Sequence, residues 1–122
     1  MDLKKVDPAF NSLNAFAKAT AGTPKDIQAM REKNIYRDGI FPAKVKTMLA
    51  LLWSVSEKCE PCIKYYAQKS RELGATEEEL GELLAVASTM GGCVGEMWAL
   101  KAFNAYKNEG KSDENCCDFD LK

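Results

Sequence analysis

From Pro42 onward, apolar side chains recur at Val45, Met48, Leu49, Leu52 and Val55, three and four residues apart. That spacing puts them on one side of an α-helix and rules out a strand, in which alternate residues would share a face. Ala50, Leu51 and Trp53 fill the gaps, so this helix is apolar on more than one side and reads as the central, most buried element. The rest of the chain repeats the helical signal with clear punctuation. Asp7-Pro8 and Thr23-Pro24 each set a capping residue before a proline suited to a first helical turn. The first predicted helix carries Phe10, Leu13 and Phe16, and the second, more polar, runs from Pro24 to about Ile35.

Tyr36-Arg37-Asp38-Gly39 reads as a turn. Ser56-Glu57-Lys58 breaks the central helix, and Pro61 then opens another that carries Ile63, Tyr66, Ala67 and Leu73 and stops at Gly74. Thr76 and Glu79 form a capping box ahead of Leu80, Leu83, Leu84 and Ala87. Gly91-Gly92 should break that helix, and a last one from about Cys93 to Tyr106 presents Val94, Met97, Trp98 and Phe103. The expected fold is all-α: one compact domain of about six helices over residues 1–110, followed by a flexible, acidic tail over 111–122 that contains Cys116 and Cys117.

The 17 basic and 18 acidic side chains leave a net charge of −1 with no basic cluster, so nucleic acid is not an expected partner. The N-terminal residues lack the apolar stretch of a signal peptide. No apolar run nears the length of about 20 residues that spans a bilayer. A cytoplasmic location, with no membrane association, is the expectation. Five cysteines, an odd number, argue against a fixed disulfide framework and for thiols that react, sense or bind. The chain has no histidine, which removes every Cys-His dyad and every histidine-ligated metal site. No cofactor is expected.

Cys59-Glu60-Pro61-Cys62 concentrates the chemistry. Cysteines three apart at a helix start share a side and can close a disulfide, while the helix N-terminus favours a thiolate. Half of a zinc site and two inert core thiols are the competing readings. Tyr66, one turn past Cys62, can hydrogen-bond a thiolate or simply pack. Glu57 and Glu60 offer acid or base chemistry or a solvated turn. Cys93 reads as a small buried thiol, and Met90, Met97 and Trp98 as core or interface. Cys116 and Cys117 could pass electrons to Cys59 and Cys62, bind a soft ion, or complete a four-thiolate site with them.

Lys44-Val45-Lys46 through Leu52, Cys59-x-x-Cys62-Ile63, Leu73-Gly74-Ala75-Thr76-x-Glu78-Glu79-Leu80 and Met90-Gly91-Gly92 follow in order. Across about residues 36–107 the chain resembles the carboxymuconolactone decarboxylase family, in its thiol-active alkylhydroperoxidase D branch. The resemblance implies an all-helical fold, a homo-oligomer (trimer or hexamer) and a thiol or dithiol electron donor. It matches Cys62 to the cysteine oxidised to a sulfenic acid and Cys59 to the partner that supplies a proton and closes the disulfide. The family's relay histidine and glutamate fall on Tyr66 and Thr47. Phenols ordinarily ionise near about pH 10 and are poor bases at neutrality. The expected function is therefore a disulfide reductase or weak alkylhydroperoxidase. The alternatives are a non-catalytic helical oligomer and a thiolate metal-binding protein.

Overall fold

The structure, a computed structural model, describes residues 2–108. It contains six α-helices: α1 (Leu3–Val6), α2 (Leu13–Ala19), α3 (Thr23–Asn34), α4 (Ala43–Ser56), α5 (Glu60–Glu72) and α6 (Glu77–Lys107). No strand occurs among the described residues. Cys116 and Cys117, and the tail expected over 111–122, lie outside them.

Asp7 does not start a regular helix as expected. Its carboxylate accepts from the Ala9 N–H at 2.8 Å and caps a 3₁₀ turn, Pro8–Ser12, ahead of α2. Thr23 and Pro24 sit one place further into α3 than expected, behind Gly22 at φ 95°. Thr76 and Glu79 cap α6 reciprocally, at 3.1 Å and 3.0 Å. Glu79 also reaches Lys44 of α4 at 2.9 Å, which clamps the start of α6 to the start of α4. The Lys44 ammonium, with the Thr76 backbone behind it, holds the Glu79 carboxyl below the usual glutamate range.

α4 packs against both α5 and α6, which places it at the centre. Leu51, Ile63 and Leu80, one from each helix, are fully buried, with Val55, Ala67, Leu84, Ala87, Ala99 and Ala102 around them. Burying a side chain the size of Leu or Ile contributes about 1.5–3 kcal/mol, so this three-helix contact is where the fold is anchored. The buried line of α4 runs through Thr47, Met48, Leu51, Ser54 and Val55. Leu49, expected on the buried side, faces outward, as does Trp53.

α6 consists of two helical arms that meet at Gly92, at φ 60° and ψ −143°. Only glycine adopts that backbone conformation without strain. The bend brings the second arm against the first. A Cβ on Gly95 would lie 2.5 Å from the Ala87 carbonyl oxygen, so only a hydrogen fits there. The small residues Ala99 and Ala102 are buried beyond it, whereas Val94 is exposed, as is Met97, which was expected in the core or at an interface. By length and composition alone α6 could cross a membrane, with a mean hydropathy of 1.4 over its most apolar window. The length arises because the helix continues through the glycine pair, where a break was expected.

Candidate functional site

The end of α4 and the beginning of α5 share one short turn. The Lys58 N–H donates to the Val55 carbonyl and the Cys59 N–H to the Ser54 carbonyl, each at 3.1 Å. This paired pattern closes a helix through a left-handed residue, here Lys58 at φ 56°, where glycine is the usual choice. The Cys59 carbonyl then accepts from the Ile63 N–H at 2.9 Å and starts α5. Cys59 is thus the N-cap, Glu60 and Pro61 open the helix, and Cys62 lies in its first turn. Proline loses nothing there, since that N–H has no intrahelical acceptor.

Cys59 and Cys62 are joined as a disulfide, with their Cα atoms 5.2 Å apart. Both are half-buried. The Cys59 side chain makes no capping hydrogen bond, so the positive end of α5 faces the sulfurs. Upon reduction that end would stabilise a thiolate at either position. Glu57 and Glu60 are exposed, and Glu60 lies 3.9 Å from Lys64 among the described residues, so both read as solvated charges.

Tyr66 stands one turn after Cys62 on the same side of α5. Its hydroxyl accepts from Arg31 Nε of α3 at 3.1 Å. The guanidinium also donates to Gln28 Oε1 at 3.2 Å and lies 5.6 Å from the centre of the Tyr65 ring. Tyr65 and Tyr66 meet edge to face, 5.1 Å apart. Tyr36 completes the cluster beneath Lys69, whose ammonium lies 4.8 Å from its ring centre. Burial pushes the Tyr36 phenol far above its ordinary range, helped by the Tyr65 phenol beside it. Nothing in the sequence of α3 marks Arg31, because the helix is mostly polar and its larger apolar side chains, Ile27 and Met30, are exposed.

Thr47 is fully buried and its hydroxyl has no partner. It offers neither charge nor base. Cys93 is exposed, not buried as expected, because it continues the outward line of Met90, Val94 and Met97 beyond the Gly92 bend. Its thiol is free. Among the described residues, no three of Cys, Asp and Glu cluster as a metal site would require.

A second feature begins beside the disulfide. Lys58, the residue before Cys59, helps to line an apolar groove of about 570 Å3 between α4 and α6. Leu49, Trp53, Val86, Met90, Val94 and Trp98 line it. Trp53 is 63% exposed and Met90 82%, and Met97 and Leu100 extend the same apolar surface.

A profile of the carboxymuconolactone decarboxylase family matches residues 14–105, so the match takes in α2 and α3 as well as the three core helices. An uncharacterised protein of Cupriavidus necator is 38% identical over 66 residues, which is 54% of this chain. That stretch spans 58% of the relative, less than two thirds of its length. A carboxymuconolactone decarboxylase family protein of Legionella pneumophila, solved in its apo form, superposes with a TM-score of 0.78 at 28% identity. The superposition covers 88% of this chain and 95% of that one.

Proposed function

The chain belongs to the carboxymuconolactone decarboxylase family, and from that membership we propose that it is a thiol oxidoreductase in which Cys59 and Cys62 alternate between dithiol and disulfide. The observation that carries the reading is the pair itself, joined across the first turn of α5 with no side chain capping that helix end. In the oxidative half, the Cys62 thiolate attacks one oxygen of a hydroperoxide. The O–O bond breaks, the sulfur becomes a sulfenic acid, and the alkoxide leaves as an alcohol after taking a proton. The Cys59 thiol then attacks the sulfenic sulfur, the disulfide forms and water departs. In the reductive half, a thiol or dithiol donor cleaves the disulfide by exchange, is itself oxidised, and restores both thiols.

Histidine is absent and Thr47 carries no charge, so no base of the usual kind assists the first step. That favours disulfide reduction over fast peroxide turnover. Cys116 and Cys117 remain, on sequence alone, thiols of this chain that could pass electrons to the pair. We place the protein in the cytoplasm, where reducing partners keep such a pair cycling. The exposed apolar surface around Trp53 and Met90 supports assembly as a homo-oligomer, a trimer or hexamer by the family resemblance.

Differential alkylation with mass spectrometry tests the reading. Peroxide should convert the Cys59 and Cys62 thiols of reduced protein to the disulfide, and a dithiol should reverse it. Thiols that stay open to alkylation after peroxide would refute it. Light scattering coupled to gel filtration tests the assembly, which a mass of 13.5 kDa would contradict.

A further inference from the structure

We propose that Cys116 and Cys117 open the Cys59–Cys62 bond within the same molecule and are the port through which donor electrons enter; the proposal rests on the thiol reading above. Both cysteines lie outside the described residues, but the place where the chain leaves the fold is fixed. The second arm of α6 ends against α5, where Gln68 Nε2 donates to the Ala105 carbonyl at 2.6 Å and the Arg71 guanidinium to the Tyr106 carbonyl at 2.8 Å. The Tyr106 hydroxyl donates to the Ala75 carbonyl at 2.7 Å, and Lys107 pairs with Glu77 at 3.1 Å. Cys62 precedes Gln68 by six residues and Arg71 by nine on the same helix. Those steps are rises of about 9 and 14 Å, and an arginine side chain beyond them puts Asn108 roughly 20 Å from the sulfurs.

Cys116 follows Asn108 by eight residues and Cys117 by nine. Chains of that length span at most about 26 and 30 Å, which covers the distance with room for a path over the surface. Residues 109–122 carry five acidic and two basic side chains, opposite in sign to the start of α5 and to exposed Lys58 beside Cys59. The thiolate of one of the two C-terminal cysteines attacks Cys59 Sγ, and the Cys59–Cys62 bond breaks. Cys62, inside the first turn of α5, leaves as a thiolate stabilised by that helix end. A donor thiol then attacks the C-terminal sulfur of the mixed disulfide, and Cys59 leaves and takes a proton. A second donor thiol attacks the first donor's sulfur, so the donor disulfide departs and the C-terminal thiol is restored. Two donor thiols are oxidised as Cys59 and Cys62 are reduced. Adjacent cysteines bridge only with strain, so Cys116 and Cys117 do not trap the electrons between themselves.

The experiment captures the mixed disulfide in the full chain. Cys62→Ser removes the competing bond and leaves Cys59 to pair elsewhere. This variant is equilibrated with glutathione and glutathione disulfide, which oxidises two protein thiols and is itself reduced to two glutathiones. Mass spectrometry should find tryptic peptide 59–64 joined to peptide 112–122, at an effective concentration of about 1 mM. When isotope-labelled and unlabelled chains are mixed beforehand, heavy should join heavy and light join light. Deleting residues 112–115 cuts the reach of Cys116 and Cys117 to about 13 and 17 Å and should abolish the bond. With Cys59 and Cys62 intact, the Cys116→Ser/Cys117→Ser double variant should be reduced by glutathione about tenfold more slowly than the parent. Cys93→Ser should leave that rate unchanged.

A bond from Cys59 to the Cys93 peptide instead, or heavy chains joined to light ones, would overturn the proposal. So would a bond that survives the deletion, or a double variant reduced as fast as the parent; each leaves the cycling of Cys59 and Cys62 intact. A parent protein whose pair neither closes with peroxide nor opens with a dithiol would overturn the thiol reading itself, and this one with it.

Discussion

Replacing Gly95 with alanine adds one methyl group where the two arms of α6 touch. Its Cβ would lie 2.5 Å from the Ala87 carbonyl oxygen and 3.4 Å from the carbonyl carbon. Cβ contacts under 3.0 Å are essentially never seen, so something must shift by at least about half an ångström. The obstacle is backbone, which cannot rotate aside as a side chain would, so the arms themselves must separate. Overpacking a well-filled site costs about 1–3 kcal/mol. Against it stands the better helix propensity of alanine, worth about 1 kcal/mol. Gly81, also in α6, supplies the control: an added Cβ there meets nothing within 4 Å. Gly81→Ala should therefore stabilise by up to about 1 kcal/mol, and the difference between the two variants isolates the steric cost. In thermal unfolding at fixed protomer concentration the two midpoints should part by about 5–15 °C, with Gly95→Ala the lower. Equal midpoints would show that the arms do not meet at Gly95, and the bend at Gly92 would have to be drawn differently.

Three further outcomes follow from the cluster around α5 and from the outer face. The Tyr36 phenol is neutral when folded but ionises once unfolded, so stability should hold below the ordinary tyrosine value and fall as pH rises through it. Tyr36→Phe should flatten that alkaline limb in denaturant melts, and an unchanged limb would contradict the burial. Thr47→Glu alone should destabilise the fold, since it places an unpaired carboxylate in a fully buried position. Combined with Tyr66→His it should recover stability and raise peroxide turnover about a hundredfold, with no gain on a Cys62→Ser background; a double variant no faster than the parent would show that these positions do not form a relay. Trp53→Glu should lower the assembled mass seen by light scattering while leaving the helical circular dichroism intact, because Trp53 is 63% exposed and makes little of its own protomer's core.

Much of the fold could be read because its determinants are local. The proline after Cys59, the glycine at 74 and the Thr76–Glu79 box each fix a helix end through atoms within a few residues. The disulfide was legible for the same reason. What escaped depends on partners distant in sequence. Apolar periodicity marks a stripe but does not say whether the same protomer covers it, so Leu49 was expected inside and lies outside, and Met97 could be placed no more closely than core or interface. The Arg31–Tyr66 bond crosses 35 residues and leaves no pattern in either segment. Cys93 misled because cysteine is so often buried that composition outweighs geometry until the Gly92 bend is known.

The turn at Lys58 also limits what can be rebuilt around it. One residue, Cys59, finishes α4 with its N–H and begins α5 with its carbonyl, so the connection holds no spare peptide. Most helix connections tolerate an extra residue because slack in the loop absorbs it. Here an insertion between Ser56 and Cys59 would break either the bond to Ser54 or the start of α5, and would rotate the sulfurs relative to α4. Grafting the Cys-Glu-Pro-Cys segment onto another helix would carry over the thiols without their orientation. The transferable unit is α4, turn and α5 together, and an engineer seeking this chemistry elsewhere would have to move all three.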